Sequence, residues 1–118
     1  MTCCYAGANR QDAGWHMARH SHSHHEMVLV VQGSERVQSS GHNELARAGD
    51  ALLFPAGQAH EEWAEELLET WYWGFTGPLP EALPLRVADH DGRLRQIGGW
   101  LLAERASGRL AEIGRAHV

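Results

Sequence analysis

The sequence predicts an all-β protein, an antiparallel sandwich or barrel with a C-terminal helix, on three observations. From about residue 15 to residue 76, short apolar or β-branched runs recur at close spacing with turn residues between them. Nothing in that stretch has helical periodicity, which leaves hairpin-connected strands as the simplest arrangement. Beyond Pro78, Pro80 and Pro84 the pattern changes: Leu94, Ile97 and Leu101, with Trp100 beside them, form an apolar stripe at helical spacing.

The elements follow in order. The first ten residues lack the basic start and continuous apolar stretch of a secretory signal. Cys3 and Cys4 are adjacent, with no other cysteine to pair with, and read as reduced thiols in a poorly ordered end. Residues 26–32 are a β-branched, apolar strand that stops at the hairpin signal Gly33-Ser34. Residues 35–39 return, Ser40-Gly41-His42-Asn43 turns, and residues 44–47 begin another strand. After Gly49-Asp50, residues 51–54 read as a buried strand closed by the turn Pro55-Ala56-Gly57. Residues 69–76 alternate Trp71, Trp73 and Phe75 with other residues, so one face is strongly apolar. That face could serve the core, a pocket or a partner subunit, core packing being the commonest use. Asp89-His90-Asp91 supply helix-cap residues and Gly108 a stop. Gly98-Gly99 weakens the helix by about 1 kcal/mol per glycine, tolerable where another backbone approaches closely or where the helix kinks.

A chain of 118 residues makes one domain: a barrel over 1–88 and a helical tail over 89–118 belonging to the same unit. Its longest apolar run, residues 27–31, is strand-sized and far short of a membrane span. A cytoplasmic location is therefore expected, with no membrane partner. The formal charge is −5 and every basic residue is Arg, which disfavours phosphate binding, so direct nucleic-acid binding by this chain is not expected.

The chemistry concentrates in two stretches. The first runs Gly14-Trp15-His16-Met17-Ala18-Arg19-His20-Ser21-His22-Ser23-His24-His25-Glu26. On a strand, His20 and His22 share a face about 7 Å apart, near enough for two imidazoles to lean onto one ion. Glu26 has the same parity, yet on a straight strand it would lie about 20 Å from His20, so it joins only if the chain turns between Ser23 and His25. The second stretch, from Gly49 through Pro55 and Gly57, delivers His60 onto a returning strand. His20, His22, Glu26 and His60 form a mixed nitrogen and oxygen set suited to one divalent transition metal (Zn, Ni, Fe, Mn or Cu) and unsuited to Ca or Mg. His24 has the parity of His22 and is either a substitute ligand or a residue of the pocket mouth. His25 should face away, and His16, His42, His90 and His117 read as surface or turn histidines. Val28 and Val30 share the face of Glu26 and line the interior, opposite Met27, Leu29 and Val31. Trp63, three residues after His60, is a candidate pocket wall.

These stretches resemble the paired motifs of the cupin superfamily, G-x5-H-x-H-x3-E-x6-G and G-x5-P-x-G-x2-H-x3-N. Gly14, His20, His22, Glu26 and Gly33 fit the first; Gly49, Pro55, Gly57 and His60 fit the second, with Ala64 standing where the family has Asn. The resemblance covers about residues 14–64 and implies a small antiparallel cupin barrel (a double-stranded β-helix or jelly roll) with the metal inside its mouth. The wider wording, including LARAGDALLFPAGQAHEEWAEE and WYWGFTG, resembles the N-terminal effector-binding domain of AraC-type transcription regulators. That implies a sensor binding a small-molecule effector, with the stretch from Asp89 to Ser107 placed as the first linking helix. These residues leave no room for the helix-turn-helix units, so no DNA-binding domain is expected in this chain. The alternative is a stand-alone metal-dependent cupin enzyme of dioxygenase or isomerase type, for which the sequence offers no convincing extra acid or base; Glu61 and Glu62 read equally well as a charged strand face. A homodimer is expected in either case, through the Leu94/Ile97/Leu101 stripe or a barrel face.

Overall fold

The computed structural model describes residues 2–108. They form nine strands and a helix: β1 (Thr2–Gln11), β2 (His16–His20), β3 (His25–Gln32), β4 (Ser34–Ser39), β5 (His42–Arg47), β6 (Asp50–Phe54), β7 (His60–Trp63), β8 (Leu68–Thr76), β9 (Arg86–Ala88) and α1 (Arg93–Ala106). A five-stranded sheet, β1-β8-β3-β6-β9, faces a four-stranded sheet, β2-β7-β4-β5. Every pairing is antiparallel. The expected all-β barrel with a C-terminal helix is therefore present.

Side-chain alternation sorts the apolar residues into two layers. Val28, Val30, Leu52 and Phe54 point between the sheets and pack with Val37, Ala46, Ala64 and Leu68. Their neighbours Leu29, Ala51 and Leu53 point to the outside of the larger sheet, where Trp73, Phe75 and Leu101 cover them. β6 is thus buried on both faces, which is why its sequence is a continuous apolar run without alternation. The turn between β3 and β4 is made by Gly33, whose φ of 79° and close approach to the Leu67 carbonyl both exclude a side chain.

Three expectations change. The first residues are a ten-residue edge strand paired with β8 from Thr2↔Thr76 to Gln11↔Leu68, not a poorly ordered end. Small and polar residues hide such a strand, because its ladder bonds depend on the partner rather than on its own pattern. Cys3 and Cys4 lie in it as free thiols. The short strand β9 lies just beyond the proline-rich segment and pairs with β6.

The third change concerns the helix. Leu101 is buried and Leu94 partly buried against the outer layer, whereas Ile97 and Trp100 are 47% and 61% exposed. The stripe that faces the barrel is therefore Leu94, Gly98 and Leu101, at spacings of four and three. Gly98 sits under the indoles of Trp71 and Trp73, where an added Cβ would lie 3.2 Å from each ring. The close approach is by side chains, and it explains the glycine. Trp71 and Trp73 accordingly belong to the helix-covered layer, with Arg95 over the Trp71 ring at 5.3 Å. Asp89 Oδ1 and Oδ2 accept the backbone N–H groups of Leu94 and Arg95, and Asp91 accepts that of Arg93, so these aspartates close the free helix start. His117 and the tail beyond Gly108 lie outside the described residues.

Candidate metal centre

Pairing of β2 with β7 sets His20 opposite His60. The intervening corner, residues 21–24, carries His22 back over the barrel mouth. That corner is pinned to the Pro55-Ala56-Gly57 turn: Gly57 N–H donates to the His22 carbonyl at 2.8 Å, and Ala56 N–H donates to His25 Nδ1 at 2.9 Å. His25 Nε2–H reaches the Gly77 carbonyl at 2.8 Å, so this histidine ties three segments together on the outside.

One ring nitrogen from each of His20, His22 and His60 lies within 4.8 Å of the others. The ring centroids of His20 and His60 are 4.2 Å apart, and those of His20 and His22 are 5.0 Å apart. Two of the rings are oriented from behind. His20 Nδ1–H donates to the Ala18 carbonyl at 2.8 Å and His60 Nδ1–H to the Gln58 carbonyl at 3.2 Å. Each bond leaves Nε2 with its lone pair available, the arrangement found behind metal-bound histidines. His60 is fully buried and stacks on Phe54 at 3.8 Å with a 4° interplanar angle. Burial pushes its pKa down to about 4, so the imidazole is neutral at pH 7. Its Nε2 is buried and has no hydrogen-bond partner among the described residues. An unpaired buried acceptor beside two more imidazole nitrogens is what a transition ion would complete, and the donor set suits Zn, Ni, Fe, Mn or Cu.

Glu26 enters from β3 as the corner requires. Its Oε1 is 3.6 Å from His22 Nε2, while its Oε2 accepts the Tyr5 hydroxyl at 2.6 Å. His24 turns from the triad to Tyr5, donating from Nε2 to the hydroxyl at 2.7 Å, and its ring stacks on His22. It sits at the mouth, its pKa held below the ordinary imidazole value by burial and by His22. Val28 lines the cavity beneath the triad, whereas Val30 is fully buried in the core behind it. Trp63 is not a wall of this cavity: it stacks on His16 outside the barrel mouth and lines a separate surface groove with Arg36 and Glu65. An odd separation from His60 sends it to the opposite face of β7. Ala64, in the position of the family's Asn, is buried and exchanges backbone hydrogen bonds with Gly14 and Trp15.

The same parity separates Glu62 from Glu61 and adds Glu35, which the sequence reading left without a role. Glu62 lies two residues after His60 and faces inward, with Oε2 3.8 Å from both His20 Nε2 and His60 Nε2. Glu35, inward-facing on β4, is 2% exposed, and its carboxyl stands beside that of Glu62. Burial and mutual repulsion push Glu35 well above the usual carboxyl value; burial raises Glu62 to about 7. Asn9 and Gln11 of β1 and Tyr72 of β8 complete the wall around a cavity of about 130 Å³, and the Tyr5 hydroxyl holds Glu26.

The raised acid has a measurable consequence. A carboxyl raised in the folded state favours folding while protonated, and that advantage disappears as pH rises from 4.5 through the raised value. Glu35→Gln is thus expected to raise the Tm of the metal-free protein at pH 8 by about 4 °C or more, equivalent to about 1 kcal/mol, with little change at pH 4. Thermal melts at both pH values test this, and an equal shift at both would contradict it.

The family model for the AraC-like ligand binding domain matches residues 6–113. No curated protein matches the chain. Among solved structures, a conserved protein of unknown function from Streptococcus pyogenes superposes with a TM-score of 0.58 at 20% identity, over 63% of this chain and 65% of that one. A cupin superfamily protein from Desulfitobacterium hafniense gives 0.58 at 12% identity, over 61% and 66%. A predicted oxalate decarboxylase from Thermotoga maritima gives 0.59 at 16% identity, over 64% and 69%. The chain thus spans just under two thirds of the first two, and at these identities the likeness is one of fold, the cupin jelly roll. With the family model spanning nearly all of it, the chain belongs to the AraC-like ligand-binding domains, built on a cupin barrel.

Proposed function

We propose that the chain is the metal-binding sensor domain of an AraC-type transcription regulator, holding one divalent transition ion on His20, His22, His60 and Glu26 and a small-molecule effector in the adjoining cavity. The observation that carries the metal is the buried, unpartnered Nε2 of His60, aimed among two further imidazoles. In this reading the barrel over 1–88 binds and the tail over 89–118 reports, within the cytoplasm and without contacting nucleic acid itself. None of the helices among the described residues is long and apolar enough to cross a membrane.

Coupling is available through strand β8. Tyr72 lines the cavity, while its neighbours Trp71 and Trp73 carry α1 on the opposite face. A ligand moves α1 only if it binds its two dispositions with different affinity. Amide hydrogen exchange of α1 with and without bound Zn²⁺ or Ni²⁺ tests this: at least tenfold slower exchange is expected with metal, and unchanged rates would contradict coupling.

One observation favours a second reading, a metal-dependent cupin enzyme. Glu62 and Glu35 supply beside the triad the acid that the sequence reading found lacking. Oxygen uptake by the Fe-loaded protein with a turned-over substrate would select that reading.

The proposed homodimer uses the outward face of α1. Leu101 packs on its own barrel, leaving Ile97 and Trp100 for a partner. Trp100→Asp is expected to shift sedimentation to the monomer without lowering Tm; an unchanged dimer would move the interface to a barrel face.

A further inference from the structure

The cavity beside the histidine triad has a chemical bias of its own. Glu26, Glu35 and Glu62 all line it, and no Arg or Lys does. Asn9 and Thr70, which can each donate or accept, contribute from the β1 and β8 walls, and Trp15 and Tyr72 add aromatic surface. The decisive atom is Glu35 Oε2. It is buried, belongs to a side chain 2% exposed, and has no hydrogen-bond partner among the described residues. A buried carboxyl oxygen left without a donor is costly, and burial of a carboxyl pair is costlier still, unless something that binds there supplies the donors.

We propose that the Glu35–Glu62 pair is the recognition site for a small cationic ligand carrying N–H donors, a guanidinium or a primary ammonium, seated in this cavity. This deepens the sensor reading, on which it rests for the existence of an effector. The acceptor excess is geometric: three carboxyls line the cavity and no guanidinium does. A planar guanidinium presents paired donors that match a carboxylate, and the aromatic walls favour a cation over an anion. A neutral ligand rich in acceptors would meet oxygen against oxygen. The cavity of about 130 Å³ has room for on the order of ten non-hydrogen atoms.

The test uses two probes of the same shape, propylguanidinium and propylurea, with butyrate as the anionic control. Binding is measured by calorimetry on the purified protein, both metal-free and zinc-loaded, at pH 7. Propylguanidinium is expected to bind at least tenfold tighter than propylurea, and butyrate more weakly than either. The preference should be larger in the metal-free form, because the charge of an ion opposes a second cation. In the double variant Glu35→Gln/Glu62→Gln, which keeps the shape and removes both carboxyls, the preference should fall below threefold. Circular dichroism and zinc stoichiometry of that variant establish that it is folded and keeps its metal. Equal affinity for the two probes, no binding by either, or a preference that survives Glu35→Gln/Glu62→Gln would overturn the proposal. Failure of the sensor reading is separately visible as absent zinc binding or an unresponsive α1, since the metal-free discrimination depends on neither.

Discussion

Replacing His60 with alanine is expected to lower the affinity for Zn²⁺ or Ni²⁺ at least 100-fold while leaving a folded barrel. His60 is the one fully buried member of the triad, it is neutral at pH 7 because burial holds its pKa at about 4, and its Nδ1–H bond to the Gln58 carbonyl fixes the ring. A ligand held that way loses little rotational freedom when it binds, so its removal forfeits more than one bond to a mobile side chain would. His20 and His22, each about a quarter exposed, would remain as a pair with no rigid third donor. Two neighbouring histidines give the contrast. His24→Ala should cost less than about tenfold, since its ring nitrogen is committed to Tyr5. His16→Ala should change nothing, because His16 pairs with Glu61 outside the barrel mouth. Competition titrations with a chromophoric chelator measure all three. Equal losses at His16 and His60 would mean that a surface histidine cluster, and not the triad, takes the ion.

Phe54→Ala should be the most destabilising change near the site. The ring is 1% exposed, fills the interior between Val28, Leu52 and Leu68, and forms the floor on which His60 stacks. Truncating a buried phenylalanine costs about 3–5 kcal/mol, through lost transfer energy and the cavity that remains. In a chain of this size that lowers Tm by roughly 15 °C or more. The same cavity lets the His60 ring tilt, so the metal affinity of the folded fraction should fall about tenfold although Phe54 carries no ligand atom. Phe54→Leu keeps most of the volume and should cost well under half as much. A Tm change of only a few degrees for Phe54→Ala would mean that the barrel collapses around the site without needing this ring.

Where sequence reading succeeded, local rules and final structure agree. The strand of residues 26–32 alternates, and its two faces lie in two different apolar layers. The glycine and proline turns of the second stretch return the chain at His60, where pairing with β2 brings it to His20. The need for a corner between Ser23 and His25 was deducible from distance along a strand, and the corner is there. Failures had two physical sources. Tyr5 was invisible because β1 has little pattern of its own and is held by β8, a strand distant in sequence (Tyr5 pairs with Gly74). Trp63 and Glu62 were misplaced because composition was weighed over parity, and Glu35 was given no role. Counting by twos from His60 selects Glu62 and rejects Trp63, and a carboxyl that shares the inward face with Val37 is out of place in an apolar layer unless it has a task. The helix stripe failed more gently: Ile97 was one residue away from Gly98, and no rule of hydrophobic periodicity selects a glycine as the contact point.

The central claim, an ion held by residues from both motif stretches, is tested most directly by elemental analysis of the purified protein beside the double variant His20→Ala/His60→Ala. Near one equivalent of Zn, Ni, Fe, Mn or Cu per chain, lost in the variant while the circular dichroism spectrum is kept, is the predicted result. No metal in the unaltered protein, even after incubation with each ion, would contradict it.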